Sequence, residues 1–135
     1  MSPPEPLVGN KAVEDAAVTY VIAQEQVRGR QARDTRGAGD LVSGERVIEV
    51  KAYGRSSRGQ DLWLEVRQVE EARRNPDFWL YIVENVRQGD PSTFLLLQMG
   101  GQELAALLVR ARERRYYEVP FPVAVHDRLS ARPGV

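Results

Sequence analysis

The chain has no cysteine and only one histidine among its 135 residues. The lack of cysteine excludes disulfide bonds, thiolate zinc sites and a cysteine nucleophile, and one imidazole is too few for a histidine-rich metal site. No run approaches the ~18 consecutive apolar residues of a membrane helix, and the proline-rich start lacks the regions of a signal peptide. We therefore expect a cytoplasmic protein without membrane contact, in which carboxylates carry any metal chemistry.

Lysine is also scarce, because arginine supplies 17 of the 19 basic residues, and 19 acidic residues balance them. A net charge of zero excludes the bulk attraction to polyanions that a strongly basic protein has, so local clusters matter more. Arginines crowd three segments, and we take Arg36, Arg55 and Arg58 as candidates for phosphate contacts. The alternative is that these charges are merely solvated.

The length and the 42% hydrophobic content predict one compact domain. We predict a flexible lead-in at residues 1–9, which hold three prolines, the domain at 10–125 and a flexible tail at 126–135. The periodicity predicts a mixed sheet with flanking helices, an α/β or α+β fold. The predicted elements are helices at 10–27, 67–75 and 102–114, a β-hairpin at 40–51, and strands at 62–66, 78–83 and 93–97.

The central hairpin is predicted to turn at residues 44–45, because glycine at the first turn position fits a type II′ turn. That register pairs Leu41 with Ile48 and places Asp40 opposite Glu49. Side chains then alternate between the two faces of the hairpin. One face carries Leu41, Ile48 and Val50, and the other carries Asp40, Val42, Val47, Glu49 and Lys51.

Two carboxylates that face each other across a hairpin, about 5 Å apart at Cβ, repel unless a cation lies between them. Mg²⁺ or Mn²⁺ prefers oxygen ligands, so we predict that Asp40, Glu49 and the Val50 carbonyl hold one of these ions. Lys51, about 7 Å along the same face from Glu49, would reach an attacking water or a phosphate. The alternative is a structural hairpin in which Lys51 makes an exposed ion pair worth little. A lysine in an arginine-rich chain favours the chemical role, because its compact ammonium has a tunable pKa.

The spacing of Asp40 and Glu49-Val50-Lys51 resembles the D…ExK core of the PD-(D/E)xK nuclease superfamily, which has the restriction-endonuclease-like fold. With Glu14 on the first helix and Gln68 opening the second, residues 10–85 are also similar to the domain family named after the C-terminus of the plant protein NO VEIN. This resemblance implies an αβββαβ order of elements. Gly39 stands where the superfamily often has proline, and Gln68 where the NO VEIN family often has an acid.

The resemblance implies a metal-dependent nuclease that hydrolyses nucleic-acid phosphodiester bonds, with DNA as the expected substrate. A homodimer or a targeting partner protein would then supply specificity. The alternative is a non-catalytic nucleic-acid-binding or protein-interaction module on the same fold, within a larger defence or repair assembly. The implied roles are metal ligation by Asp40 and Glu49, orientation or activation of the attacking water by Lys51, an outer or second-metal contact by Glu14, and an auxiliary role for Gln68. For Glu14, a helix-dipole role is the open alternative.

Overall fold

The structure is a computed structural model, and it describes residues 6–35, 39–114 and 119–131. It contains a five-stranded sheet in the order β1-β2-β3-β4-β5, with helices on both faces. This arrangement confirms the predicted α+β class and the αβββαβ order of the first elements. The elements are α1 (Asn10–Val27), β1 (Ala32–Asp34), β2 (Leu41–Ser43), β3 (Arg46–Ala52), α2 (Val66–Arg74), β4 (Phe78–Glu84), β5 (Leu95–Gly100), α3 (Gly101–Leu108) and α4 (Val123–Ser130), with 3-10 turns at Val86–Gln88 and Pro91–Thr93.

The β2–β3 hairpin has the predicted register, with Leu41 opposite Ile48 and Val42 opposite Val47. Gly44 has a φ of 58°, the left-handed conformation that the first position of this turn requires. β3 and β4 are parallel, whereas the other neighbouring strands are antiparallel. A parallel pair needs a crossover connection, and α2 supplies it.

Two apolar layers hold the helices against the sheet. On one face, α1 buries Val13, Ala17 and Val21, which recur every four residues and therefore form one stripe of the helix. On the other face, alternate residues of β4, among them Leu80, pack with Leu104 of α3. β4 is thus covered on both sides and forms the centre of the fold. None of the helices in the described parts of the chain is long and apolar enough to cross a membrane.

Two predicted elements were wrong. Residues 62–65 form no strand, because Glu65 caps α2 through a capping box with Gln68 and the leucines of this segment pack against the second apolar layer. α3 ends at Leu108 rather than near residue 114, since Val109 is 83% exposed and the buried stripe goes no further. A further helix, α4, spans Val123–Ser130. The division into a domain and two flexible ends stays a prediction.

Gly39 allows β2 to begin very close to β3. A Cβ atom at this position would lie 2.8 Å from Val47 Cγ1 and 3.0 Å from the Ile48 carbonyl oxygen.

We predict that Gly39→Ala lowers the unfolding free energy by about 1–3 kcal/mol, because the backbone of β3 cannot yield without disturbing the sheet. Gly54→Ala is the matched control, since its Cβ would meet the side chain of Arg87, which can move. Urea denaturation measures both; equal losses would show that the close approach to β3 does not matter.

Candidate functional site

A cleft of about 520 Å³ brings together residues from α1, the end of β1, the residue before β2 and the second half of β3. Carboxylates dominate its walls, and among the residues that the structure describes Lys51 is the one basic residue that lines it. The acidic lining residues are Glu14, Asp15, Asp34, Asp40 and Glu49. The structure therefore places Glu14, Asp40, Glu49, Val50 and Lys51, all singled out from the sequence, around one cavity. Asp15 and Asp34 were missed, because only the packing of α1 and β1 beside the hairpin brings them there.

Asp40 is fixed against β3 by its side chain. The backbone ladder ends at Leu41, so the predicted pairing of Asp40 with Glu49 is replaced by a different contact. The backbone N–H of Val50 donates a hydrogen bond to Asp40 Oδ2 at 2.8 Å, and the Asp40 carbonyl accepts from Thr35 N at 3.2 Å. These bonds hold the Asp40 carboxylate beside the strand that carries Glu49 and Lys51.

Glu49 is only 4% exposed, although it carries a carboxylate in the middle of β3. Burial, and secondly the charge of Asp40, raise the pKa of Glu49 to about 7. Lys51 opposes this rise, with its Nζ 3.4 Å from Glu49 Oε1. Within the described residues, Glu49 Oε2 is buried and has no hydrogen-bond partner. The site thus contains a buried carboxylate whose ionised form is incompletely stabilised.

Gln68 supports Glu49 from outside the cleft. It is buried at the start of α2, where its Oε1 accepts a hydrogen bond from Glu65 N at 2.9 Å. Its side chain lies near enough to Glu49 to favour the ionised carboxylate, although no hydrogen bond of normal geometry joins the two. Gln68 therefore links the start of α2 to the acidic pair but does not line the cavity.

Arg67 is a second cation near the acidic pair, and the sequence analysis missed it. Its pKa is raised mainly by the hydrogen bond to Glu65 at 2.8 Å and additionally by the charges of Glu49 and Asp40. In the sequence, this position was indicated by its place directly before the candidate residue Gln68. Arg55 and Arg58 are exposed on the segment after β3 and do not line the cleft, and Arg36 lies outside the described residues.

The side chains of Asp40 and Glu49 fit a divalent cation. Glu49 has a buried oxygen without a hydrogen bond among the described residues, and its pKa is raised. A positive ion beside this carboxylate would stabilise its ionised form. In the parts of the chain that the structure describes, no group of three or more Asp, Glu or His side chains is arranged to hold a metal. Waters and a substrate phosphate would therefore have to complete the coordination, as Mg²⁺ commonly requires.

The sheet with its two helical layers and the acidic cleft define an α+β domain with a carboxylate and lysine centre on a β-hairpin. The family model described as Protein NO VEIN, C-terminal, matches residues 13–96. The chain belongs to this family. The match runs from α1 into β5 and includes Glu14, Asp40, Glu49, Lys51 and Gln68. Comparison with curated proteins and with solved structures gave no significant match.

The raised pKa of Glu49 predicts how stability depends on pH. The folded chain keeps this proton up to about pH 7, whereas an unfolded chain loses it near the ordinary value of 4.5. The contribution of this group to stability is therefore complete below about pH 4.5 and is lost as the pH rises through 7. We predict that metal-free Glu49→Gln is more stable than the wild type near pH 8, by ~1 kcal/mol or more.

This advantage should disappear near pH 4, because Glu49 is then protonated in both folded and unfolded wild type. Urea denaturation in a chelator at several pH values measures it. Glu45→Gln, at the exposed hairpin turn, is the control and should follow the wild-type curve. A Glu49→Gln variant that is less stable than the wild type across the whole range would show that the ionised Glu49 is a structural partner of Lys51.

Proposed function

We propose that the chain is a metal-dependent nuclease that hydrolyses phosphodiester bonds of nucleic acid, with DNA as the expected substrate. The observation that carries this proposal is the meeting of Asp40, Glu49 and Lys51 in one cleft, with a buried Glu49 oxygen that lacks a hydrogen bond among the described residues. Membership of the NO VEIN C-terminal family is compatible with this activity but does not by itself specify one.

In this proposal Asp40 and Glu49 hold Mg²⁺ or Mn²⁺, with the Val50 carbonyl as a further ligand. The bound cation would supply activation of water and neutralisation of phosphate charge. The Asp40 carboxylate is already oriented by the N–H of Val50, so little freedom would be lost on binding. Gln68 would position Glu49 through the start of α2.

Lys51 acts on the attacking water and on the phosphate. Its side chain is 26% exposed, so its ammonium is accessible from the cleft while Glu49 holds it in place. An ammonium beside the reacting phosphate stabilises the charge that grows there and orients the water for attack. Glu14 would add an outer contact from α1, and Arg55 and Arg58 would hold the phosphates of the nucleic acid outside the cleft.

The charge of the cleft supports a requirement for metal. Of the described residues, five carboxylates and one lysine line it, and this excess of negative charge repels a phosphate that enters without a cation. Nucleic acid should therefore engage the centre only when a divalent ion is present. This dependence on metal distinguishes the nuclease from the alternative, a non-catalytic binding module. In such a module a divalent ion would not change the binding of nucleic acid, and no cleavage would occur.

We predict that Asp40→Asn and Glu49→Gln each weaken the binding of Mg²⁺ and Mn²⁺ by at least tenfold, because each removes a charged ligand. Calorimetric titration measures the affinity. For the wild type, metal at about 100 times its dissociation constant should add about 2.7 kcal/mol of stability. Asp77→Asn, an exposed carboxylate before β4, is the control and should bind like the wild type. No stabilisation of the wild type by either ion would rule out the metal site.

We predict that Lys51→Ala keeps the metal affinity, or raises it by removing a nearby positive charge, but abolishes cleavage. Lys51→Arg should restore little activity, because a planar guanidinium is larger than an ammonium and stays protonated. Mg²⁺-dependent nicking of supercoiled plasmid and cleavage of a single-stranded oligonucleotide measure this. Lys11→Ala changes the chain's other lysine, which is exposed on α1, and should cleave normally. If Lys51→Ala nicks as fast as the wild type, the proposed mechanism is wrong.

A further inference from the structure

A second groove, of about 630 Å³, lies between α2, α3 and the segment before α2. Its floor is apolar and includes Leu64, Val69 and Leu104. Trp63 forms part of its wall, although 61% of its surface is open to solvent. A large aromatic side chain that is mostly exposed beside an apolar groove is typical of surfaces that bind a partner.

Four of the described residues that line this groove are arginines, and we call them its rim. Arg73 comes from α2, and Arg110, Arg112 and Arg114 follow α3. The carboxylates of Asp61, Glu70 and Glu113 also line the groove, so within the described part of the lining four arginines are balanced by three carboxylates. Phosphate neutralisation alone would therefore bind a polyanion weakly here. A ligand suited to this groove must combine anionic groups with flat apolar ones.

The groove adjoins the candidate metal centre through the start of α2. Val66 lines the groove, whereas the neighbouring Arg67 lies within range of the charges of Glu49 and Asp40. Glu65, the residue before them, is similarly within range of Lys51. Trp63, three residues before α2 begins, lies on this same connecting segment.

We propose that this groove binds a single-stranded segment of nucleic acid, with a base stacked on Trp63 and phosphates held by the arginines of the rim. A duplex keeps its bases stacked inside, whereas a single strand offers base faces to an aromatic side chain and to an apolar floor. Binding in the groove requires no catalysis. The idea that the bound strand continues into the acidic cleft rests on the proposed nuclease function.

The test measures binding of the full chain without divalent ions, by fluorescence anisotropy with a labelled oligothymidylate of about 12 nucleotides and with a duplex of equal length. We expect the wild type to prefer the single strand and Trp63→Ala to bind it about 5- to 100-fold more weakly. Trp63→Phe should recover most of the affinity, which distinguishes stacking from damage to the fold. Phe121→Ala is the matched control, because Phe121 is 64% exposed and does not line the groove.

A second pair of variants tests the rim. Arg112→Gln should lower the slope of log affinity against log salt concentration by about 0.7, the value for one phosphate contact on a single strand. Arg128→Gln, an exposed change on α4 outside the groove, should leave the slope unchanged. Equal slopes in the two variants would contradict a phosphate contact at the rim.

The outcomes separate this proposal from the nuclease. If single-strand binding depends on Trp63 but the protein never cleaves nucleic acid, the groove proposal stands and the proposed nuclease function is wrong. Plasmid nicking that depends on Lys51, together with unchanged single-strand binding by Trp63→Ala, would reject the groove and retain the nuclease. Equal affinity for duplex and single strand, or no binding of either by the wild type, also overturns the groove proposal.

Discussion

Glu49 lies in the middle of a central strand with 4% of its surface exposed, beside the charge of Asp40, and this costs free energy that its neighbours only partly offset. Residues from three separate parts of the chain surround this buried carboxylate. The hairpin brings Asp40 to the same place, Lys51 approaches from two residues along the strand, and the buried Gln68 joins the start of α2 to the pair. A packed α+β core makes such a site possible because its other buried positions supply the stability that this one removes.

The chain contains another buried carboxylate, whose surroundings differ from those of Glu49. Glu25 on α1 is 0% exposed, but Arg30 binds it with two hydrogen bonds of 2.8 and 2.9 Å. Burial alone would raise the pKa of Glu25, and these bonds reverse the effect, so its pKa is lowered. Glu49 has a single lysine at 3.4 Å and one buried oxygen with no hydrogen bond among the described residues. The difference between the two sites is the physical basis for our proposal that Glu49 has a chemical role.

α2 connects the two candidate surfaces of the molecule. Its first turn carries Gln68 towards the acidic pair, and its outer face forms one wall of the second groove. The capping box between Glu65 and Gln68 fixes where α2 begins. It therefore also determines the position of Arg67 in the first turn and the direction in which the chain from Trp63 enters the helix. A single local motif therefore couples the geometry of the proposed centre to the groove that would receive a strand.

The sequence by itself determined the hairpin and the residues on each of its faces, because a glycine turn and a period of two are local constraints that fix register. It also determined α1, whose buried residues recur at helical spacing. The leucines at 62 and 64 were misread as a strand, since alternating apolar residues also suit an extended segment that packs on a core without joining a sheet. Only the tertiary structure brought Asp15, Asp34 and Arg67 towards the acidic pair, because proximity across separate elements is a property of packing and not of residue order. Packing also decided the burial of Glu49, which together with the charge of Asp40 raises the pKa of this carboxyl group.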